Sequence, residues 1–226
     1  MVIQRLKNWL PTALACVVML SSMGCSSWPF QKKKHSTVIT PGMRIATVRE
    51  MGAQAKDLDS SEQTRLSEQL AAQIQTEQDP LVRQAIQETV AEYSTPLARN
   101  VLLAGLQDDD LDVRLTCCRK LAGRAELTVV NALRQVIEND KELDVRLAAI
   151  SALGEIPSTE SVSALAIAIN DSDPAMQYAG VQSLKAVSGK DFGNDVKAWQ
   201  QYAAGEQPEI GPRPSVAQRL KEYSPF

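Results

Sequence analysis

The chain has 226 residues, with 24 Lys and Arg against 27 Asp and Glu, and its formal net charge is −3. This length suits one elongated domain. The acidic balance argues against nucleic acid as a partner, because nucleic-acid binding needs a basic face. Aromatic residues make up only 4% of the chain, so small and aliphatic side chains must supply most of the core.

The first 24 residues have the composition of an export signal. Arg5 and Lys7 stand near the start, no acid occurs, and an apolar run extends from Thr12 to Leu20. Such a run is too short to cross a bilayer as a stable helix, and a basic start before a short apolar core is typical of a secretory signal. Residues 1–24 are therefore predicted to be a signal peptide.

The Gly24-Cys25 junction resembles a bacterial lipobox, although Ser22 stands where Leu is usual. The resemblance implies cleavage before Cys25 and lipid attachment to its sulfur. The predicted location is then the periplasmic face of the cell envelope, with inner and outer membrane both open. An ordinary secretory signal cut near Gly24, or an uncleaved anchor, are the alternatives. Cleavage leaves 22 basic and 27 acidic side chains, a net charge of −5.

Two segments separate this junction from the rest of the chain. Residues 25–40 lack periodicity and are predicted to be a flexible tether, whose cluster Lys32-Lys33-Lys34 either touches anionic headgroups or lies in solvent. Residues 41–78 are predicted to form two capping helices. Thr40-Pro41 opens the first helix, and Ser60 or Ser61 caps the second.

A pattern with a period of 31 or 32 residues follows. A Val or Met precedes a polar residue in four places: Val82-Arg83, Val113-Arg114, Val145-Arg146 and Met176-Gln177. Counted from the polar residue, an acid stands four positions earlier each time: Asp79, Asp110, Glu142 and Asp173. Aliphatic residues recur seven and nineteen positions later, as at Leu153 and Leu165. A repeat of this length indicates a helical solenoid.

Within one unit the apolar spacing is helical. Val145, Ala149, Ala152 and Leu153 share one helix face, and Gly154 suits the end of that helix. The text from Asp110 to Leu121 and from Glu142 to Gly154 resembles the HEAT-repeat family, in particular the bacterial form called phycobilisome-lyase-type HEAT-like repeats. The resemblance covers residues 79–204, with Gln177 standing where the family prefers arginine. It implies an all-α fold, an α-solenoid (superhelix) of about four antiparallel helix pairs.

The repeated charges allow two interpretations. Arg83, Arg114 and Arg146 can pair with the acids four positions earlier, along or between helices, or they can grip an acidic ligand. In HEAT-like repeats the equivalent arginines tie each repeat to its neighbour, so the resemblance implies a structural ladder that includes Asp79, Asp110, Glu142 and Asp173. The run Asp108-Asp109-Asp110 and the nearby pair Asp171 and Asp173 are predicted to cap helices, with a weak calcium site as the alternative.

The adjacent residues Cys117 and Cys118 align with apolar positions of the third unit and are predicted to pack in the core. A strained vicinal disulfide is the alternative, since an exported protein meets oxidant. After the repeats, Val196–Ala203 is predicted to form a last helix, and residues 205–226, rich in Pro and Gly, an irregular tail. A short helix over Ser215–Tyr223, folded back on the solenoid or docked to a partner, is the alternative.

No catalytic set is visible. The single histidine, His35, falls in the tether, so a Ser-His-Asp device or a zinc site within the repeats has no histidine to use, and no cofactor or metal is predicted. The predicted function is a non-catalytic, lipid-anchored scaffold that binds another protein, without nucleic acid or small-molecule substrate. The alternative is an accessory subunit of a bilin lyase-like enzyme, which a bound pigment would reveal. A HEAT-like repair glycosylase conflicts with the acidic charge.

Overall fold

The computed structural model describes residues 38–208. The predicted signal peptide, Cys25, His35 and the tail beyond residue 208 lie outside the described residues. Ten α-helices occupy the described part of the chain: Pro41–Ala53 (α1), Ser60–Ile74 (α2), Pro80–Val90 (α3), Pro96–Gly105 (α4), Leu111–Leu121 (α5), Leu127–Asn139 (α6), Leu143–Gly154 (α7), Thr159–Ile169 (α8), Pro174–Ser188 (α9) and Val196–Ala203 (α10). One short 3₁₀ turn, Ala55–Asp57, follows α1.

The helices begin where a side chain can bind their first unpaired N–H groups. Side chains cap eight of them: Thr40, Asp59, Asp79, Thr95, Asp110, Ser158, Asp173 and Asp195. At α2 the prediction of Ser60 or Ser61 as the cap is wrong. Asp59 Oδ1 accepts from the backbone N of Ser61 at 2.8 Å and of Glu62 at 2.9 Å, so the carboxylate takes the capping role one residue earlier.

The helices form two layers. Helices α1, α3, α5, α7 and α9 pack in sequence to make the odd layer. Beside it, α2 packs on α4, α6 on α8 and α8 on α10, and these five helices make up the even layer. Short turns reverse the chain between consecutive helices, so each pair is antiparallel and helices of one layer run in the same direction. The predicted all-α fold, an α-solenoid, is confirmed.

The repeat period places its apolar positions between the layers. Val82, Val113, Val145 and Met176 are all fully buried. So are the aliphatic residues seven positions after each polar residue, Val90, Leu121, Leu153 and Leu184. A single helix pair cannot bury such a face alone, and neighbouring pairs stacked about 8–10 Å apart bury it continuously. The hydrophobic effect along this continuous core therefore supplies most of the stability.

The first helix, α1, is joined to the first repeat by two hydrogen bonds. On the odd layer, Thr89 Oγ1 donates to the carbonyl of Val48 at 3.1 Å, and Tyr93 Oη donates to that of Met51 at 3.0 Å. Both bonds connect α1 with α3 or the turn after it. They fix how α1 sits on the stack, since a buried carbonyl left without its donor would cost free energy.

An aromatic cluster closes the carboxyl end. Trp199 of α10 is fully buried, and its Nε1 donates to the carbonyl of Gly193 at 3.1 Å. Its ring meets that of Phe192 edge-on at a centroid distance of 4.7 Å and that of Tyr202 at 5.8 Å. Gln200 Nε2 also donates to the carbonyl of Ile169 at 3.1 Å, so α10 is fastened to α8 as well as packed on it.

One glycine permits a close approach between the layers. A Cβ at Gly105, the last residue of α4, would stand 2.4 Å from both Cys117 Sγ and Gln87 Nε2. The missing side chain leaves room for those two buried groups. Gln87 is therefore buried at a repeat position that holds Cys118, Ile150 and Val181 in the other units.

Candidate functional site

Each repeat arginine binds an acid in the turn that leads into the next unit. Arg83 donates from Nε and Nη2 to Asp108 at 2.8 and 2.7 Å. Arg114 makes the same two-pronged pair with Asp140 at 2.8 and 3.2 Å, and Arg146 pairs with Asp171. Two parallel bonds from a planar guanidinium to a carboxylate give geometric specificity as well as energy. These pairs join consecutive repeats along one edge of the stack, which we call the arginine edge.

The acids of the arginine edge are held in position by their own turns. Asp108, Asp140 and Asp171 each accept from the backbone N two residues later, at 2.9 Å in all three turns. Arg114, which follows the Asp108 turn, also reaches back to it. Arg114 Nη1 donates to the carbonyls of Asp108 and Asp109 at 2.9 and 3.1 Å. The Asp108 turn thus binds the preceding Arg83 through its acid and the following Arg114 through its carbonyls.

The partner acids differ from those that sequence reasoning named. The acids four positions before Arg83, Arg114 and Gln177 cap their own helices instead. They are Asp79, Asp110 and Asp173. Glu142 holds the corresponding position before α7 without a side-chain cap bond. The three aspartate carboxylates accept through Oδ1 from the first N–H groups of their helices, and Arg83 and Arg114 bind other acids. The structure does not show pairing of each arginine with the acid four positions earlier.

The partners nevertheless have a sequence signal. Acids also stand six positions before each polar residue, at Glu77, Asp108, Asp140 and Asp171. Glu77 extends the arginine edge towards the amino end, because Arg44 of α1 donates to it from Nε and Nη2 at 3.0 Å each. At the other end Gln177 donates to the carbonyl of Asp171 at 2.8 Å. This second column of acids is visible in the sequence and marks the partners of the arginines, which the choice of the acids four positions earlier missed.

The electrostatics of the arginine edge follow from these contacts. Burial alone would raise the pKa of Asp108, but the hydrogen bonds from Arg83 and from the backbone N of Asp110 hold it below its ordinary value of 3.8. The pKa of Glu77 is lowered in the same way, against burial, by the N–H of Asp79 and by Arg44. Both carboxylates are therefore more acidic in the folded chain than in the unfolded one.

We expect the contribution of Asp108 to stability to depend on pH. A depressed pKa means that its stabilisation is fully present above the unfolded value of 3.8 and is lost as the pH falls through the lower folded value. Asp108→Asn should cost about 1–2 kcal/mol at pH 7, and the cost should shrink below pH 3.8. Urea unfolding from pH 7 to pH 3 checks this, with the exposed neighbour Asp109→Asn as control. A cost that stays constant down to pH 3 would contradict it.

Cys117 and Cys118 are free and fully buried, which agrees with the core packing that their repeat positions predict. Burial raises the pKa of Cys117 well above its usual range and that of Cys118 to about 12. A thiol of this kind is a poor nucleophile, because the thiolate is the reactive form.

We therefore expect neither thiol to react with iodoacetamide at pH 8 in the folded protein, and both to react in urea. Peptide mass spectrometry after alkylation measures this directly. Recovery of Cys117 and Cys118 oxidised together from native protein would instead favour the vicinal disulfide.

The described part of the chain contains neither a cluster of metal ligands nor a membrane-spanning helix. Between residues 38 and 208, no group of three or more His, Cys, Asp or Glu side chains is placed to hold a metal ion. Of the acids predicted to cap helices, with calcium binding as the alternative, Asp110 and Asp173 cap α5 and α9. For Asp108 and Asp171 the capping prediction is wrong, because their carboxylates bind Arg83 and Arg146. Over the same range no helix has both the length and the apolar character that a membrane span requires.

The outward face of the odd layer carries apolar side chains at one repeat position of α5, α7 and α9. Leu115 and Leu147 are half-buried there, and Tyr178 is 62% exposed. Between α5 and α7 lies a groove of about 430 Å³, the α5–α7 groove, whose floor includes Leu115, Leu147 and Ala148. Asp144 and Glu155 of α7 and Arg119 of α5 stand on its rim. An apolar groove with a polar rim is a candidate surface for binding a partner.

The stacked, antiparallel pairs and the joints between them define this protein as an α-solenoid. A family model of HEAT repeats matches residues 100–185, which run from within α4 into α9. The match supports the HEAT-repeat prediction for this segment, whereas assignment to the phycobilisome-lyase type stays a prediction. No curated protein matches the chain.

Proposed function

We propose that the protein is a non-catalytic scaffold of the bacterial cell envelope, held to a membrane by lipid on Cys25, which binds another protein on the surface of its helix stack. HEAT repeats generally serve as protein-interaction scaffolds. The observation that carries the proposal is that the repeated charged side chains bind one another rather than facing solvent. The arginines and their partner acids join one unit to the next.

The outward helix faces are, by contrast, left available. On the odd layer, Tyr178 and Leu81 are 62% and 59% exposed, although large apolar side chains are usually buried. Exposed apolar side chains on a rigid stack supply contacts of the kind that interface cores need. This arrangement supports protein binding better than it supports an arginine grip on an acidic ligand.

The anchor is supported by sequence alone. A basic start, a short apolar run and the Gly24-Cys25 junction together match the lipobox pattern, apart from Ser22. Diacylglycerol on Cys25, with an amide-linked chain, would hold the protein stably at a membrane, because each buried methylene contributes about 0.8 kcal/mol and two or more chains act together.

Metabolic labelling tests the anchor. Cells expressing the full chain are grown with radiolabelled palmitate, and the protein is recovered from membrane and soluble fractions. We expect label on the wild type in the membrane fraction, and loss of both label and membrane association in Cys25→Ser. Cys117→Ser is the matched control, since that thiol is buried in the core. Label that persists in the Cys25→Ser variant would contradict lipid attachment to Cys25.

The scaffold role is tested by photo-crosslinking in cells. A photoreactive amino acid is placed at Leu147 on the odd face or at the exposed Asn131 on α6 of the even face. We expect at least one of these positions to capture the same protein in independent cultures. Absence of a reproducible adduct from both faces would count against a scaffold.

A further inference from the structure

The charges around the α5–α7 groove suggest what kind of partner fits there. Asp144 and Glu155 lie on its rim, and Asp112 occupies on α5 the repeat position that Asp144 holds on α7. All three residues are exposed. Within residues 38–208 none of their carboxylates makes a hydrogen bond or an ion pair. They differ in this from Asp108, Asp140 and Asp171, which the arginine edge engages.

The floor of the same groove is apolar. Leu115, Leu147 and Ala148 are half-buried and pack against the core, so they are held rigidly while still facing outward. A rigid apolar floor favours binding, because little side-chain entropy is lost when a partner covers it. Arg119 is the one cation among the residues that line the groove.

The charge of the whole described segment has the same sign as the rim. Residues 38–208 contain 16 Lys and Arg against 25 Asp and Glu, so this segment is more acidic than the chain as a whole. An acidic field of this kind speeds the approach of a cationic partner and disfavours an acidic one. The even face offers a weaker case, because the exposed residues of α6 include the neutral Asn131 and Gln135 beside the mutually paired charges of Arg134 and Glu138.

We infer that the α5–α7 groove binds a basic amphipathic segment of a partner protein. One or two aliphatic or aromatic side chains of that segment cover Leu115 and Leu147. Its Lys or Arg side chains meet Asp144, Asp112 and Glu155. The inference rests on the proposed scaffold function and names both the surface and the chemistry of the partner.

Binding of a defined peptide probe tests the inference on the full chain. The probe is a fluorescent 15-residue peptide with Leu at helical i, i+4 spacing and Lys on either side, and the matched peptide carries Glu in place of Lys. We expect the Lys probe to bind about tenfold or more tightly than the Glu probe, with an affinity that falls as salt rises. Equal binding of the two probes would overturn the inference.

Variants then locate the binding. Asp144→Lys and Leu147→Ser should each weaken the Lys probe by about tenfold. Glu160→Lys, a change of the same charge at an exposed position on α8, should leave it unchanged. Circular dichroism melting of each variant separates lost binding from lost folding. Equal weakening by Asp144→Lys and Glu160→Lys would show attraction to net charge rather than to the groove, and would overturn the inference.

Two other outcomes would also overturn it. This chain carries its own basic, partly apolar segment, with Arg213, Arg219 and Lys221 near Val216 and Leu220. If the Lys probe binds only after residues 209–226 are deleted, the occupant of the groove is that segment of the same chain and not a partner protein. If photo-crosslinking in cells captures a partner from Asn131 and none from Leu147, the scaffold function stands and the groove assignment fails.

Discussion

Arg114→Ala should lower the free energy of unfolding by about 3–5 kcal/mol, because it leaves a buried carboxylate without its partner. The side chains of Arg114 and Asp140 are only 7% and 8% exposed, and the guanidinium also binds two turn carbonyls. For a solenoid of this length the melting temperature should fall by roughly 10 °C. Thermal melting followed by circular dichroism gives the comparison.

Arg134→Ala is the matched control. Arg134 pairs with Glu138 one turn along α6, and both side chains are far more exposed, so its loss should leave the melting temperature nearly unchanged. Adding Asp140→Asn to Arg114→Ala should restore part of the loss, since no uncompensated charge then remains. If Arg114→Ala melts like Arg134→Ala, the joint contributes little. If it abolishes partner binding while melting normally, Arg114 belongs to the binding surface.

Trp199→Ala should remove about 3–5 kcal/mol, the usual cost of replacing a buried tryptophan. The ring is fully buried and contacts Phe192 and Tyr202, and its N–H bond to Gly193 would also be lost. In a linear stack each unit depends mainly on its neighbours, so the damage should concentrate at the carboxyl end. Hydrogen exchange should speed up in α9 and α10 and stay slow in α5.

Tyr178→Ala provides the comparison for this prediction. Tyr178 is an aromatic residue of α9 that is 62% exposed, so its truncation should change hydrogen exchange little. Uniform acceleration across α1 to α10 in Trp199→Ala would show that the chain unfolds as one cooperative unit and that the aromatic cluster is not a local cap.

The sequence predicted those features that depend on local spacing. Buried aliphatic positions, such as Val113 and Leu121, recur with the helix period and with the repeat, so their burial was readable from the chain. The helix Val196–Ala203 was predicted with the bounds the structure has, because an Asp cap and an aromatic face mark it. Cys117 could be placed in the core for the same reason, by alignment with Ala149.

What was missed depends on contacts between units. Arg83 is four residues from Asp79 but 25 from its actual partner Asp108, and only the stacking of helices brings that pair together. The nearer acid is the natural choice until its capping role is seen. Burial of Gln87 was equally hidden, because it requires the space that Gly105 leaves on another helix.

The geometry of the arginine edge also bears on how this protein can change length. The joints are built from arginine–aspartate pairs about one period apart, so excision of residues 108–139 would bring Asp140 to the place of Asp108, opposite Arg83. The core columns would stay aligned across the new junction. Deletion of about half a period would place a helix of one layer where the stack needs a helix of the other layer. Duplication or loss of whole periods in the gene would therefore lengthen or shorten the protein without disturbing the packing at the junctions. The number of units can change while each junction keeps its register.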